Sequence, residues 1–282
     1  MHGIAAEMRA IADEFGARVL VGEIYLPVER LMDYYGTRDA PGVHLPFNFQ
    51  LIGASWNARE IAHRIAEYEA ALPEGGWPNW VLGNHDRPRV ATRVGAEQAR
   101  VAMLLLLTLR GTPTIYYGDE LGLEDVPIPP ELVQDPRELN EPGIGMGRDP
   151  VRTPMAWDAS PNAGFTTGEP WLPLHADWTR RNVAAQRADP VSMWSFTREL
   201  LALRHAHPAL SIGDYHAVEA GGDILAYERR HGDERLLIVL NLGGERRRFA
   251  LPDWALGKRT LLSAQGGSDP ADVGPNEGVI LG

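Results

Sequence analysis

The stretch Val19-Leu20-Val21-Gly22-Glu23-Ile24-Tyr25-Leu26-Pro27 decides the fold, because an apolar strand in it ends at a carboxylate. The residues from Val19 to Gly22 are apolar or small, which predicts a strand buried on both faces, as in a parallel sheet. Glu23 follows at the carboxyl end of that strand, where parallel sheets meet their ligands. The stretch therefore predicts a parallel α/β sheet with a functional carboxylate on its rim.

A second stretch repeats this pattern later in the chain. The apolar run from Trp80 to Gly83 is followed at once by Asn84-His85-Asp86. Glu23 and Asp86 are 63 positions apart (86 minus 23), and a strand-helix-strand unit takes roughly 30 residues. One further strand fits between them, so we expect both carboxylates on the same rim, one strand apart.

Helix and strand signals alternate over the first 120 residues. Apolar residues at helical spacing predict helices over about 4–15, 57–72 and 96–109, and strand signals follow at 45–51, 80–83 and 114–117. Gly16 is typical of a residue that ends a helix, and Asn57 of one that begins it. The alternation predicts a parallel sheet with crossover helices.

The pattern changes after residue 120. Residues 121–190 are rich in Pro, Gly, Asp and Asn, and a connection of this length is usually functional, here folded over the rim of the sheet. An amphipathic helix from Met193 to about His205 follows. From Gly213 onward the apolar residues recur every second position, which predicts a small antiparallel β domain. We therefore divide the chain into residues 1–211 and 212–282.

The composition excludes several classes of partner. The 282 residues carry a formal net charge of −11 and no cysteine. The negative charge disfavours nucleic acid and anionic membranes, and the lack of thiols excludes thiolate metal sites and thiol catalysis. No apolar run is long enough to span a bilayer, and the N-terminus has no signal-peptide pattern. We expect a cytoplasmic protein that binds neutral polar ligands.

Several motifs, in this order, resemble the α-amylase superfamily of retaining glycoside hydrolases, and within it the α-glucosidases and oligo-1,6-glucosidases. They are Val21-Gly22-Glu23-Ile24-Tyr25, Gly83-Asn84-His85-Asp86-Arg87-Pro88-Arg89, the segment 111–120, and the segment 148–158 with its continuation Ala163-Gly164-Phe165-Thr166. The resemblance covers nearly the whole chain. It implies a (β/α)8 barrel, with residues 111–120 as its eighth strand and with 121–190 as the connection after it.

The resemblance also implies catalytic roles for the two rim carboxylates. Glu23 stands where the family has its general acid/base, and Asp86 where the family has the aspartate that stabilises the transition state. Retaining hydrolysis needs one carboxyl group to protonate the leaving oxygen and a second to attack the anomeric carbon. The protonating group must be protonated at neutral pH, which a site shielded from water favours.

Five further residues are implied in substrate binding. His85 contacts the bound sugar in the family, and an arginine of the segment 148–158 closes the non-reducing end of its pocket. We favour Arg152 over Arg148 for that position, although both could instead anchor the long connection through salt bridges. Asn84 belongs to the same motif as His85. Tyr25 is interpreted as a wall of the pocket, with simple packing as the alternative.

The attacking carboxylate of the family has no counterpart here. It lies on the fourth barrel strand, and only about 18 residues precede Val19. The chain is therefore expected to be the C-terminal half of the barrel, strands five to eight with their helices, followed by the β domain. We expect it to be inactive alone. Three explanations stay open: a gene fragment, an alternative start, or a chain that needs the missing N-terminal half as its partner.

The predicted function is hydrolysis of α-linked gluco-oligosaccharides with retention, without a cofactor and without a metal ion in this chain. Two alternatives stay open: a non-catalytic sugar-binding or partner subunit, and a transglycosylating or isomerising relative such as a trehalose synthase. An α/β dehydrogenase is disfavoured, because no Gly-x-Gly-x-x-Gly motif follows a strand. The residues leave the preferred linkage undecided.

Overall fold

The computed structural model describes residues 2–267 and 269–282, in which short parallel strands precede an antiparallel sheet. The α-helices are α1 (His2–Glu14), α2 (Val28–Met32), α3 (Gln50–Gly53), α4 (Ala58–Ala71), α5 (Val90–Val94), α6 (Ala99–Thr108), α7 (Pro136–Asn140), α8 (Val183–Ala188), α9 (Met193–Ala206) and α10 (Pro208–Ser211). The strands are β1 (Val21–Gly22), β2 (Leu45–Pro46), β3 (Asn79–Val81), β4 (Thr112–Thr114), β5 (Asp214–Val218), β6 (Ile224–His231), β7 (Glu234–Asn241), β8 (Arg247–Arg248), β9 (Thr260–Ser263), β10 (Asp272–Val273) and β11 (Gly278–Leu281). Turns of 3-10 helix lie at Asp33–Tyr35, Asp119–Leu121, Pro130–Leu132, Asp149–Val151, Pro161–Gly164 and Asp253–Ala255.

The four strands of the first half run parallel, as predicted. β1 pairs with β2 and β3 pairs with β4, both in parallel. A single parallel bridge between Asn48, just after β2, and Trp80 of β3 joins the two pairs. The carboxyl ends of all four strands therefore point the same way, and one strand separates the end of β1 from the end of β3.

β1 is not buried on both faces, and that prediction was wrong. The strand is limited to Val21 and Gly22, and the side chains of Val19 and Val21 are 60% and 49% exposed. The face of β1 that carries these side chains is left largely uncovered, and β1 is also an edge strand with β2 as its hydrogen-bonded neighbour. Among the described residues no strand pairs with its other edge, so the apolar sequence that predicts burial has no cover on that side.

Helix α1 is likewise more exposed than its apolar residues suggest. Its bounds agree with the sequence, and Gly16 follows it with a φ of +77°, a conformation that glycine adopts without strain. Its apolar residues Ile4, Met8 and Ile11, and Phe15 just after it, are however each more than half exposed. We refer to these four exposed apolar side chains, together with those of Val19 and Val21, as the α1–β1 face.

The core forms around helix α6. Its residues from Val101 to Thr108 are all buried, and they lie within the helix predicted over about 96–109. One face of the antiparallel sheet packs in the same core cluster, through Tyr227 of β6 and Leu240 of β7. No helix of the described chain is long and apolar enough to cross a membrane.

The antiparallel sheet has the strand order β5-β6-β7-β11-β9. β6 and β7 form its central hairpin, in which Ile224 lies opposite Asn241 and His231 opposite Glu234. The two-residue periodicity after Gly213 therefore predicts this sheet correctly. β8 and β10 form a separate antiparallel pair beside it.

Two strand signals are shorter or displaced in the structure. The signal at 45–51 yields only β2, because the Asn48 side chain accepts the N–H of Gln50 at 3.1 Å and the chain turns into α3. The strand predicted at 114–117 begins earlier in the chain, as β4 at Thr112–Thr114. Helix α4, by contrast, begins as predicted, because the Asn57 side chain accepts the N–H of Glu60 at 3.0 Å.

Two buried arginines join α6 to the second half of the chain. Arg204 of α9 donates to the carbonyls of Leu107 at 2.7 Å and of Leu109 at 3.2 Å, and Arg229 of β6 donates to those of Thr108 and Gly213. Burial lowers the pKa of each guanidinium to about 10, so both stay charged at neutral pH. The positive charges lie where the unpaired carbonyls and the dipole of α6 favour them.

Replacement of Arg204 by methionine tests this junction. We expect Arg204→Met to lower the free energy of unfolding by roughly 3 kcal/mol, because it leaves buried carbonyls of α6 without a donor. Urea denaturation followed by circular dichroism measures the change. The matched control is Arg198→Met on the exposed side of the same helix. Equal effects of the two variants would contradict the assigned role of Arg204.

Candidate active site

The end of β1 presents one acid and one aromatic ring on the rim. Glu23 is exposed immediately after the strand. Two residues later the ring of Tyr25 stacks on that of Phe49, with centroids 4.0 Å apart and planes 11° from parallel. The stacked pair fixes the chain that carries Glu23 against the residues that follow β2.

The end of β3 turns sharply around Asn84. Its side-chain oxygen accepts the N–H of Asp86 at 3.0 Å, which closes a local turn typical of asparagine. Its side-chain nitrogen donates to the hydroxyl of Tyr25, and partial burial raises the pKa of that phenol. Asn84 thus shapes the turn that presents Asp86 and also links the end of β3 to the end of β1.

The two strand ends converge on a small volume. One polar side-chain atom from each of Glu23, His85 and Asp86 lies within 4.8 Å of the others. The Nε2 atom of His85 is 3.4 Å from Oδ1 of Asp86. A single polar ligand can therefore contact all three side chains.

Two arginines of the long connection hold Asp86. Arg152 donates through Nη2 to Oδ1 of Asp86 at 3.0 Å and through Nε to the carbonyl of His85 at 2.9 Å. Arg148 donates through Nη1 to the same Oδ1 at 3.3 Å. The connection between β4 and α9 therefore reaches back over the rim, and it places two positive charges beside the carboxylate of Asp86.

A cavity of about 530 Å³ opens beside Asp86. Its lining includes Tyr25, Arg87, Asp125, Arg137, Met146 and Arg148. Pockets for small polar ligands commonly have this size. The donors and acceptors on its wall suit the hydroxyl groups of a sugar.

The structure brings together all seven residues that the sequence analysis selected, and it differs from the expectation in one respect. Glu23 is exposed instead of shielded from water. The uncovered edge of β1, on which Glu23 follows, accounts for this difference. Arg148 and Arg152 both contact Asp86, so the geometry does not single out Arg152.

Sequence reasoning missed Arg89 as a part of the site. Its side chain is fully buried and donates to the carbonyls of Tyr117 at 2.6 Å and Val151 at 2.9 Å. Its guanidinium also lies over the rings of Tyr116 and Tyr117, 5.1 and 4.9 Å from their centroids. Arg89 therefore ties the end of β3 to Val151, next to Arg152. The signal for it was the family motif, which includes Arg89 but gave it no role.

Asp119 lies behind the same turn. It is buried, its Oδ1 is 3.9 Å from Arg89, and a methyl group on Gly83 would come within 2.5 Å of its Oδ2. Oδ1 has no hydrogen-bond partner among the described residues. Burial raises the pKa of Asp119 to about 7, although Arg89 opposes the shift. The sequence analysis gave this aspartate no role in the site; it supports the turn from behind.

A metal ion is not favoured by these contacts. Glu23, His85 and Asp86 could approach one cation. Oδ1 of Asp86, however, already accepts from Arg148 and Arg152, whose positive charges repel a cation. We keep the expectation that this site works without a metal.

Most of this chain is similar to a known family and to known proteins. The profile of the family described as "Alpha amylase, catalytic domain" matches residues 1–213. Maltase A1 of Drosophila melanogaster is 37% identical over 251 residues, which cover 84% of this chain and 43% of that protein. The oligo-1,6-glucosidase of Parageobacillus thermoglucosidasius is 32% identical over 232 residues, which cover 73% of this chain and 41% of that protein. The chain spans about half the length of the curated relatives it matches.

Solved structures show the same extent of similarity. An α-glucosyl transfer enzyme, XgtA, superposes with a TM-score of 0.89 at 31% identity. The matched region covers 98% of this chain and 53% of the XgtA chain. The trehalulose synthase MutB from Pseudomonas mesoacidophila MX-45 superposes with a TM-score of 0.88 at 30% identity. The matched region covers 99% of this chain and 58% of the MutB chain. The parallel strands, the long connection and the antiparallel sheet thus occur together in known proteins.

Asp119→Asn tests the buried carboxyl group behind the site. The unfolded chain releases this proton near its ordinary pKa of 3.8, whereas the folded protein keeps it up to about pH 7. The folded state therefore binds more protons between these values, and Asp119 makes stability fall as the pH rises through this window. We expect the variant to reduce this fall, measured by urea denaturation from pH 4.5 to 8.

The control for this experiment is Asp39→Asn, on an exposed loop far along the chain from Asp119. Its pH dependence should match that of the wild type. The interpretation of Asp119 would be contradicted if Asp119→Asn left the slope of stability against pH unchanged.

Proposed function

Because the chain belongs to the α-amylase catalytic-domain family, we propose that it forms the acid-bearing part of a retaining α-glucosidase for α-linked gluco-oligosaccharides. The observation that carries this proposal is the convergence of Glu23, His85 and Asp86 within 4.8 Å on one rim. Two carboxyl groups and one imidazole at this spacing can hold one sugar ring with its glycosidic bond in place for cleavage. The curated relatives include maltases and an oligo-1,6-glucosidase, which supports α-glucosides as the substrate class.

Each residue has a definite part in the proposed reaction. Glu23, in its protonated form, donates its proton to the glycosidic oxygen. The bond from that oxygen to the anomeric carbon breaks as a carboxylate of a companion segment forms a bond to the same carbon. Asp86 accepts hydrogen bonds from sugar hydroxyls and stabilises the positive charge that develops on the ring. His85 donates a further hydrogen bond to the same sugar. In the second step water attacks the anomeric carbon and gives up a proton to Glu23, while the bond between that carbon and the carboxylate of a companion segment breaks.

The attacking carboxylate is proposed to come from a companion segment. We infer that β1–β4 correspond to strands five to eight of a (β/α)8 barrel and that the companion is the N-terminal half. Three observations support this: the unpaired edge of β1, the exposed α1–β1 face, and the match to only about half of each relative. An apolar surface of this kind is typical of an interface. The companion would also cover Glu23 and shield it from water.

An activity assay of the purified chain tests the missing nucleophile. We expect no turnover of 4-nitrophenyl α-glucoside by the chain alone, because removal of a covalent nucleophile abolishes nearly all catalysis. Glu23→Gln, purified in the same way, measures contaminating glucosidase. Turnover by the wild type that Glu23→Gln abolishes would contradict the proposal. Asp125, the further carboxylate of the cavity, would then be the first candidate for the nucleophile.

A non-catalytic sugar-binding subunit is the second candidate, because the cavity and its contacts are formed within this chain. Calorimetric titration with maltose separates the two functions of the site. We expect Asp86→Asn to weaken binding roughly tenfold, as the loss of a charge-assisted hydrogen bond would. Glu23→Gln should change it less than about twofold, because the proton donor acts in the transition state. Glu29→Gln, exposed on α2, is the control.

The remaining alternative concerns the fate of the glucosyl group. The likeness to XgtA, described as an α-glucosyl transfer enzyme, and to the trehalulose synthase MutB favours transfer or isomerisation as a candidate. Product analysis after reconstitution with the companion half distinguishes the reactions. Glucose alone indicates hydrolysis, whereas longer or isomeric sugars indicate transfer.

A further inference from the structure

We propose that Asp135 is a positioning residue of the sugar site: it holds Arg148 against Asp86 and fixes residues 136–147 as a wall of the cavity. This inference rests on the proposed function for its ligand. We call residues 136–147 the strap. The strap contains helix α7 and a turn in which Gly143 and Gly145 have φ values of +79° and +76°.

Packing does not hold the strap in place. Helix α7 has no buried residue, and its Leu139 is 57% exposed. The apolar side chains of Ile144 and Met146 are also exposed. Because little apolar surface is removed from water here, the hydrophobic effect does little to fix the position of the strap. Polar contacts supply that constraint: Glu138 accepts the N–H groups of Gly143 at 2.8 Å and Gly147 at 3.2 Å within the strap, and further contacts join its ends.

Asp135 supplies the main contact at the beginning of the strap. Its buried carboxylate accepts from Arg148 through the backbone N–H at 2.7 Å, through Nε at 2.8 Å and through Nη2 at 2.9 Å. It also accepts the N–H of Arg137 at 3.1 Å and so caps α7. The Arg148 guanidinium beside it holds the pKa of Asp135 well below its usual range. The carboxylate is therefore charged and joins the two ends of the strap.

The neighbouring aspartate strengthens the same junction. Oδ2 of Asp149 accepts the N–H groups of Gln134 at 2.6 Å and of Asp135 at 2.9 Å. The chain on either side of the strap is thus bound by backbone hydrogen bonds to carboxylates of the opposite end. Of the two aspartates, Asp135 is the one that also accepts hydrogen bonds from the side chain of Arg148.

Arg148 connects this junction to the reaction site. With Nε and Nη2 on Asp135, its remaining nitrogen Nη1 reaches Oδ1 of Asp86 at 3.3 Å. A planar guanidinium bound on two of its edges has a fixed orientation. Arg148 therefore links the strap to Asp86, which Arg152 also contacts, and Asp135 determines where the Arg148 side chain lies.

The strap forms part of the cavity in which the sugar would bind. Arg137, Gly145, Met146 and Gly147 line it together with Asp86. The Sδ atom of Met146 lies 3.6 Å from Nη2 of Arg137, so the two lining side chains support each other. Loss of the Asp135–Arg148 contact would therefore alter the wall of the cavity and the orientation of the partner of Asp86 together.

The variant Asp135→Asn tests the charge of Asp135 while it keeps the size and shape of the side chain. Asparagine keeps the oxygen that caps α7 but removes the negative charge that holds Arg148. We expect maltose binding by the full chain to weaken roughly tenfold, and trypsin to cleave after Arg137 at least several times faster. Calorimetry measures the first effect, and mass spectrometry of timed digests measures the second. Glu141→Gln, exposed within the strap, is the matched control and should change neither.

A double-mutant cycle distinguishes positioning from a merely structural role. In an Arg148→Met background, Asp135→Asn should cause no further loss of maltose affinity, because its effect passes through Arg148. Asp135→Glu, which keeps the charge, should recover most of the affinity. Additive losses in the cycle, or faster cleavage with unchanged affinity, would overturn the proposal.

The outcomes also separate this inference from the proposed function. If the wild type binds no maltose, alone or with its companion, the proposed function fails, and the inference, which depends on that ligand, fails with it. If the wild type binds maltose and Asp135→Asn binds it equally well, the role of Asp135 is wrong and the proposed function stands.

Discussion

The contact of Asp86 with the guanidinium groups of Arg148 and Arg152 joins two parts of the chain that no strand pairing connects. Asp86 belongs to the rim after β3, whereas both arginines belong to the long connection after β4. The buried side chain of Arg89 reinforces the same junction through the carbonyl of Val151. The hydroxyls of Tyr116 and Tyr117 also bind the connection, through the carbonyls of Val151 and Thr153, and the arginines add its link to Asp86 at the cavity.

Stability and chemistry are placed in different parts of the molecule. The packed core lies around α6 and the antiparallel sheet, with Arg204 and Arg229 at the end of that helix. Of the candidate site residues, Glu23 and His85 are exposed and Asp86 is partly exposed, on the rim after β1 and β3. A packed core can hold the chain folded although the rim beside it is open, and the proposal of a companion segment rests on this physical argument.

The sequence predicted those features that depend on local pattern. The parallel alternation, the cap at Asn57 and the hairpin of β6 and β7 all follow from periodicity or from one side chain near in sequence. The same reasoning wrongly predicted that β1 is buried. Burial requires another segment to pack on the strand, and an apolar sequence alone does not show whether that segment is present. The same reasoning also missed Arg89, Asp119 and Asp135, whose partners lie 13 to 62 positions away in the chain. Their types, Arg or Asp in turn-rich segments, are usual for exposed loops.

The central claim is that Glu23 and Asp86 serve one sugar ring from one rim. A crystal structure of the chain soaked with maltose tests this most directly. The account predicts a single glucosyl ring with hydroxyl or ring atoms within about 3 Å of both carboxyl groups, and with Arg148 still joining Asp86 to Asp135. A ring that contacts only one of the two carboxyl groups, or that lies away from the rim, would contradict it.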